Sequence, residues 1–171
     1  MRRAAPDDAP KIAELHIRTW QIAYRGQLPD DYLDGLDRDL TKRSEFWRAE
    51  ISAPPVQHEV WLADADEQIL GFISIGPSRD EDCTHATGEL YAIYVNPKYW
   101  HEGAGRALAL CAKERLASLG FSEATLWVLE SNQRAREFYV KNGWIPDTKL
   151  KIERRPGGIE LREMRYSIQL E

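Results

Sequence analysis

The segment from Glu89 to Glu130 constrains the fold more than any other part of the chain. "ELYAIYV" (Glu89–Val95) is rich in aromatic and β-branched residues and reads as a strand ended by Asn96-Pro97. After a short loop, Leu108, Ala112, Leu116 and Leu119 recur at helical spacing, Gly120 falls at the C′ position and an apolar Phe121 follows. "ATLWVLE" (Ala124–Glu130) is a second strand. A right-handed crossover through the helix makes the two strands parallel.

The flanking segments imply antiparallel neighbours. Arg2 to Ala5 reads as a short first strand. "DDAPKIAELHIRTWQIAYRG" carries Ile12, Leu15, Thr19, Trp20 and Ala23/Tyr24 along one helical stripe, with Ile17 off it. Asp7 or Asp8 caps this helix, Pro10 lies in its first turn and Gly26 stops it. "PDDYLDGL" is a short second helix, and "DLTKRSEFWRAEIS" a third with Phe46, Trp47 and Ile51 turned inward, ended by Pro54-Pro55. His58–Ala63 and Ile69–Ile75 form a hairpin across Asp64-Ala65-Asp66-Glu67, and "SRDEDCTHATG" is a polar connector. "SNQRAREFYVKNG" is a helix capped by Ser131 or Asn132 and closed by Gly143. Lys149–Arg155 and Ile159–Gln169 alternate as a last hairpin hinged at Pro156-Gly157-Gly158. The expected fold class is α/β (α+β): a mixed, mostly antiparallel sheet flanked by helices, with a central parallel strand pair. With no repeat or linker, residues 1–171 are expected to form a single domain.

Composition narrows function. A formal net charge of −5 argues against nucleic-acid binding and suits a cationic acceptor. No apolar run approaches the ~20 residues of a membrane span, and "MRRAAPDDAPKIAEL" has no apolar signal core, so no membrane association and a cytoplasmic location are expected. Two cysteines, Cys83 and Cys111, suit reduced thiols, with Cys111 a small core residue. No Cys/His cluster has metal-ligand spacing, so no metal is expected.

The loop "PKYWHEGAGRAL" (Pro97–Leu108) leaves a strand and opens a helix. Free N–H groups and the helix dipole there make an anion site. Gly103 and Gly105 permit close backbone approach and positive φ, and Lys98 and Arg106 add positive charge. The loop is neither a Walker A sequence nor GxGxxG, since Leu108 stands three after Gly105. On spacing alone, a tight strand-to-helix turn explains it equally well.

Context decides between them. Val95-Asn96-Pro97, Gly103-Ala104-Gly105, and Asn132 with Ala135, Phe138, Tyr139 and Gly143-Trp144 together resemble the GNAT superfamily of acetyl-CoA-dependent N-acetyltransferases. The resemblance covers about the middle third of the chain, and the order of elements is similar to GNAT topology. "HIRTWQIAYRGQLP" with "LWVLE" is more narrowly similar to a bacterial subgroup without an assigned substrate. The chain departs from the family loop pattern Q/R-x-x-G-x-G/A: Trp100 stands at the Gln/Arg position, His101 where glycine is usual, and Glu102 beside them.

The resemblance implies that acetyl-CoA is the acetyl donor, a co-substrate. Its pyrophosphate would be gripped at Trp100, His101, Glu102, Gly103, Ala104, Gly105 and Arg106. Its pantetheine would pair with the backbone of Ile93, Tyr94 and Val95. Asn132 caps its helix, contacts the pantetheine, or does both. Acetyl transfer needs a neutral amine, yet only roughly one alkylamine in 10³ is neutral at pH 7. Glu89, matching a glutamate that is the base in some GNAT enzymes, is therefore the candidate base. Strand alternation puts it on the side of Tyr91 and Ile93 if no bulge intervenes. Tyr139 is the candidate acid at the coenzyme A sulfur. Trp20, Tyr24 and Arg25 lie where relatives shape the acceptor site, and equally fit core packing plus an exposed arginine. His16, His58 and His85 suit surface or structural roles, and Glu153, Arg154, Glu160, Arg162 and Arg165 read as cross-strand surface pairs. The expected acceptor is a small-molecule amine; a protein N-terminus or lysine, or a non-catalytic acyl-CoA-binding domain, are the competing readings. A sheet edge near the C-terminus would allow a homodimer.

Overall fold

A computed structural model describes residues 1–66, 68–155 and 157–171. Glu67 of the expected hairpin turn and Pro156 of the expected hinge lie outside the described residues. The chain runs β1 (Arg2–Arg3), α1 (Ala9–Ala23), α2 (Asp30–Gly35), α3 (Leu40–Ser52), β2 (Glu59–Ala65), β3 (Gln68–Pro77), β4 (Thr87–Val95), α4 (Ala104–Ser118), β5 (Glu123–Leu129), α5 (Gln133–Lys141), β6 (Ile145–Arg155) and β7 (Ile159–Gln169). The sheet order is β1-β2-β3-β4-β5-β7-β6. Its one parallel pair is β4 with β5, as the strand–helix–strand pattern predicts, and every other pair is antiparallel.

Helices cover both faces. On one, Leu108, Ala112 and Leu116 of α4 and Tyr139 of α5 pack on Ile73, Ile75, Leu90, Leu126 and Val128. On the other, Ile12 of α1 and Trp47 of α3 pack on Val60, Leu62 and Phe72. Ile17 is not off the stripe: it is buried against Leu33 and Leu36, because α2 covers a second side of α1. Phe46 is the reverse case, 54% exposed beside buried Trp47. Adjacent helical positions point about 100° apart, so of this pair α3 turns Trp47 inward, with Ile51 one turn on packed against the same cluster; the Phe46 ring rests edge-on against Trp47.

Both helices beside β4 and β5 end the same way. Gly120, at φ +95°, donates to Ala117 O and Phe121 donates to Leu116 O. Gly143, at φ +90°, donates to Val140 O and Trp144 donates to Tyr139 O. These are Schellman closures, each needing a left-handed residue at C′. The second anchors the turn that carries Tyr139, whose ring also meets Trp144.

Candidate active site

Two irregularities of β4 create the site. The first is a bulge: Ser74 faces Ala92 but Ile75 faces Leu90, so Tyr91 is the extra residue. It reverses alternation, putting Leu90, Ile93 and Val95 on the α4–α5 face. Glu89 is therefore not on the side of Ile93; it lies on the opposite face, beside Thr125 of β5. The second is a splay. β4 pairs with β5 only from Thr87 to Leu90, against Glu123 to Leu126. Beyond Leu90 the strands part.

The parted strands leave backbone groups open. Asn96 donates to Leu70 O at 2.8 Å, which fixes the antiparallel alternation with β3. Ile93 and Val95 consequently turn their N–H and C=O groups toward the gap. Val95 O there accepts the Trp100 indole N–H at 2.9 Å.

A cavity of about 550 Å³ fills this gap and reaches both faces of the sheet. Ile93, Tyr94, Val95, Trp100, His101, Gly103, Gly105, Arg106, Asn132 and Tyr139 line it, as do Trp20 and Tyr24 of α1. Glu89, Arg25, Glu102 and Ala104 are not in its wall. Glu102 is exposed and stands outside the cavity wall.

At one end stands the N-terminus of α4. Gly103 is its cap at φ +91°, and no side chain caps the helix. The first intrahelical bond is Ala107 N–H to Gly103 O, so the N–H groups before it point outward without helical partners. Only Gly103 of the glycine pair has positive φ; Gly105 is helical, and its special feature is closeness, since a Cβ there would lie 3.4 Å from Phe138. His101, where the family usually has glycine, adopts φ +68°. Two cations flank this end, Arg106 and Arg134, and the Arg134 guanidinium lies 3.5 Å over the Trp100 ring. Burial pulls the Arg134 pKa down, and it has no acidic partner among the described residues.

At the other end Tyr139 is buried with its ring against Phe138, Trp144 and Tyr166. Its hydroxyl has no hydrogen-bond partner among the described residues, and burial raises its pKa. Asn132 is the N-cap of α5, accepting from Ala135 N–H at 3.1 Å, and also lines the cavity. Across the gap, Tyr94 accepts from the Trp20 indole at 2.9 Å, and burial pushes it up to about 12. Tyr24 is raised too, first by burial and then by neighbouring Tyr94 and Tyr139.

Glu89 has another setting. It is 2% exposed, and its carboxylate accepts from the Arg79 backbone N–H at 3.0 Å and the Arg79 guanidinium at 3.2 and 2.5 Å. Arg25 is turned outward onto Asp30 and Asp34. His58 is structural, buried between Glu50 and Ser74. His16 is buried under Tyr94, and burial pulls its pKa to about 3, so it is neutral. Arg165 is no surface pair: it is 8% exposed and bonds Asp80, Asp82 and Asp147. Asp80, Asp82 and Cys83 converge within 4.8 Å like metal ligands, but Arg165 donates to all three.

Among the cavity residues that sequence reasoning did not single out, two carry charge beside the expected ligand ends, Arg134 and Glu163. Arg134 sits inside the Asn132–Ala135 motif, and its spacing from Asn132 was the available signal. Glu163 alternates with other charges along β7 and had none. Among the described residues, no helix is long and apolar enough to cross a membrane.

Comparisons with known proteins agree with this geometry. The Acetyltransferase (GNAT) family profile matches residues 11–144. An uncharacterized N-acetyltransferase, YuaI of Bacillus subtilis (strain 168), is 35% identical over 133 residues, 77% of this chain and 72% of its own length. A spermidine N(1)-acetyltransferase of Thermoplasma acidophilum is 24% identical over 97% of this chain and 96% of its own. Among solved structures, the PaiA N-acetyltransferase of Thermoplasma acidophilum in complex with coenzyme A superposes with a TM-score of 0.71 at 22% identity, covering 98% of this chain and 96% of that one. A family match over most of the chain, on a sheet splayed beside a glycine-opened helix, makes this protein a member of the GNAT family of acetyl-CoA-dependent N-acetyltransferases.

Proposed function

We propose that the chain, acting as one catalytic domain, moves the acetyl group of acetyl-CoA to a primary amine of a small molecule by direct attack. The observation that carries this reading is the gap between β4 and β5, where Ile93 and Val95 offer strand-like hydrogen bonds between an uncapped helix N-terminus and an unpartnered phenol. A pantetheine arm has amides spaced to pair with such a strand. The N–H groups at Gly103–Arg106, with Arg106 and Arg134, suit the pyrophosphate. The arm's length then brings the thioester toward Tyr139.

Tyr139 acts as donor to the sulfur. A raised phenol pKa keeps it protonated at neutral pH. Full transfer to a thiolate of pKa about 8.5 runs uphill, so its main contribution is a hydrogen bond that strengthens as charge builds on sulfur. Trp20, Tyr24 and Tyr94 form the acceptor wall on the opposite side. The relative named for spermidine supports a small-molecule amine. The setting is a reduced cytoplasm, in keeping with unpaired Cys83 and Cys111.

Free-thiol release from acetyl-CoA, measured against a panel of amines and N-terminal or lysine peptides, tests the reading. Turnover of small amines well above peptides is expected. Turnover of peptides alone moves the acceptor to proteins, and acetyl-CoA binding without turnover of any acceptor leaves a binding domain.

A further inference from the structure

Glu163 is a cavity-lining carboxylate that the acetyl-transfer reading above does not use. It sits on β7 directly opposite Leu129, the last residue of β5, where the sheet opens. Its side chain is 17% exposed and lines the cavity. Lys151 of β6 reaches one carboxylate oxygen, Oε2, at 3.3 Å, while its ammonium also rests 4.3 Å over Trp127. The other oxygen, Oε1, has no donor among the described residues. A largely buried carboxylate with one oxygen open to the cavity favours a donor there, most strongly a cationic one.

The surroundings specify that group. Lys151 of β6 contacts Glu163, the charges of Glu153 and Arg155 on β6 act on it, and Tyr24, Tyr94 and Tyr139 of α1, β4 and α5 line the same cavity. Phenol rings and a carboxylate lining one cavity favour an ammonium over a neutral or anionic group. A carboxylate on the acceptor itself would instead meet Glu163 with like charge. Burial raises the Glu163 pKa, which brings it closer to the task of accepting a proton. Glu89 has no such opening, because Arg79 engages both its oxygens.

We infer that Glu163 is the acceptor-side carboxylate: it binds the ammonium of a cationic amine that carries no anionic group, such as an arylalkylamine or polyamine, and takes its first proton. This inference rests on the acetyl-transfer reading. The step is balanced as follows. R–NH₃⁺ gives one proton to Glu163, which later releases it to solvent. The freed nitrogen lone pair forms the N–C bond to the thioester carbon. The C–S bond breaks with its electron pair on sulfur, and the second N–H proton leaves with that sulfur as the thiol.

The test uses tryptamine and spermidine as acceptors and glycine as the anionic control, on wild type, Glu163→Gln, Glu163→Asp and Glu89→Gln. Glu163→Gln is expected to lower kcat/KM for the two amines by roughly 10² or more. Acetyl-CoA affinity by calorimetry should stay within about threefold, the acid limb of the pH profile should be lost, and Glu163→Asp should recover part of the rate; a purely structural role would change none of these selectively. Glycine should be a poor acceptor throughout. Turnover of Glu163→Gln within about threefold of wild type overturns the inference, as does a loss matched by acetyl-CoA affinity. Turnover of other amines of the wider panel but of neither of these two overturns the inference alone. If wild type binds acetyl-CoA but acetylates no acceptor of that wider panel either, the acetyl-transfer reading fails. Binding of tryptamine to the CoA-loaded protein then decides for Glu163: loss of binding in Glu163→Gln supports it, and absent or unchanged binding overturns it.

Discussion

The Arg134 guanidinium lies over the Trp100 indole, its central carbon 3.5 Å from the ring centroid, while the indole N–H is fixed on Val95 O. Trp100 stands where the resemblance expects Gln or Arg and supplies no charge, and Arg134 of α5 brings a cation against its ring. Arg134→Ala is expected to weaken acetyl-CoA binding about tenfold, the worth of one charge-assisted contact at ~1.4 kcal/mol. The loss should shrink as salt rises. Calorimetry at two ionic strengths checks both statements.

Gly105 presents a graded test. Its Cβ position lies in ordinary contact with Phe138, at 3.4 Å, and with Val95, at 3.6 Å, so Gly105→Ala should fold normally. Gly105→Val adds branches that press on Phe138 and Val95 and displace the helix start where the pyrophosphate is expected. Affinity for acetyl-CoA should fall more than about tenfold in a folded protein. Unchanged affinity in Gly105→Val would move the anion site elsewhere.

Tyr139→Phe removes a hydroxyl and keeps the ring on Trp144 and Tyr166. The hydroxyl has no partner to lose among the described residues, so melting temperature should hardly move. Turnover should drop about tenfold or more, the effect of losing one donor at developing charge. Steady-state rates and thermal melts on one preparation separate the two effects; a rate equal to wild type would leave Tyr139 as core alone.

Glu89→Gln is expected to act first on stability. It replaces a carboxylate held by three donors from Arg79 with a neutral amide that cannot accept from all of them. A cost of about 1–3 kcal/mol follows, read as a lower denaturation midpoint.

Glu163→Gln should have the opposite sign. Burial raises the Glu163 pKa above its unfolded value, so the folded state holds its proton to higher pH than the unfolded chain does. Stability from this group is therefore lost as pH rises through that window. The variant should melt higher than wild type near neutral pH, and the difference should narrow on acidification. A lower melting temperature at neutral pH would show that Lys151 fully compensates the carboxylate.

The elements around the site were legible because they are local. Apolar spacing fixed the helices and strands from β2 to α5, and the glycines at 120 and 143 marked closures that the structure forms. What was hidden is non-local. The face of Glu89 depends on a bulge at Tyr91, which alternation along one strand does not register. Arg165 reads as one more charge in an alternating tail, yet meets Asp80 and Asp82 from the β3–β4 connector. Glu163 differs from its neighbours on β7 only because β5 ends opposite it.

The parting of β4 from β5 gives the sheet an edge in its interior. Along that edge, consecutive amides belong to different environments. Tyr94 and Asn96 point toward β3, and their hydrogens should exchange with solvent only when that pairing breaks. Ile93 and Val95 point into the cavity, and theirs should exchange far sooner. A single strand would therefore show protection that alternates residue by residue. A bound molecule that hydrogen-bonds to this edge would erase the alternation, reporting its arrival through the deuterium uptake of two peptide groups.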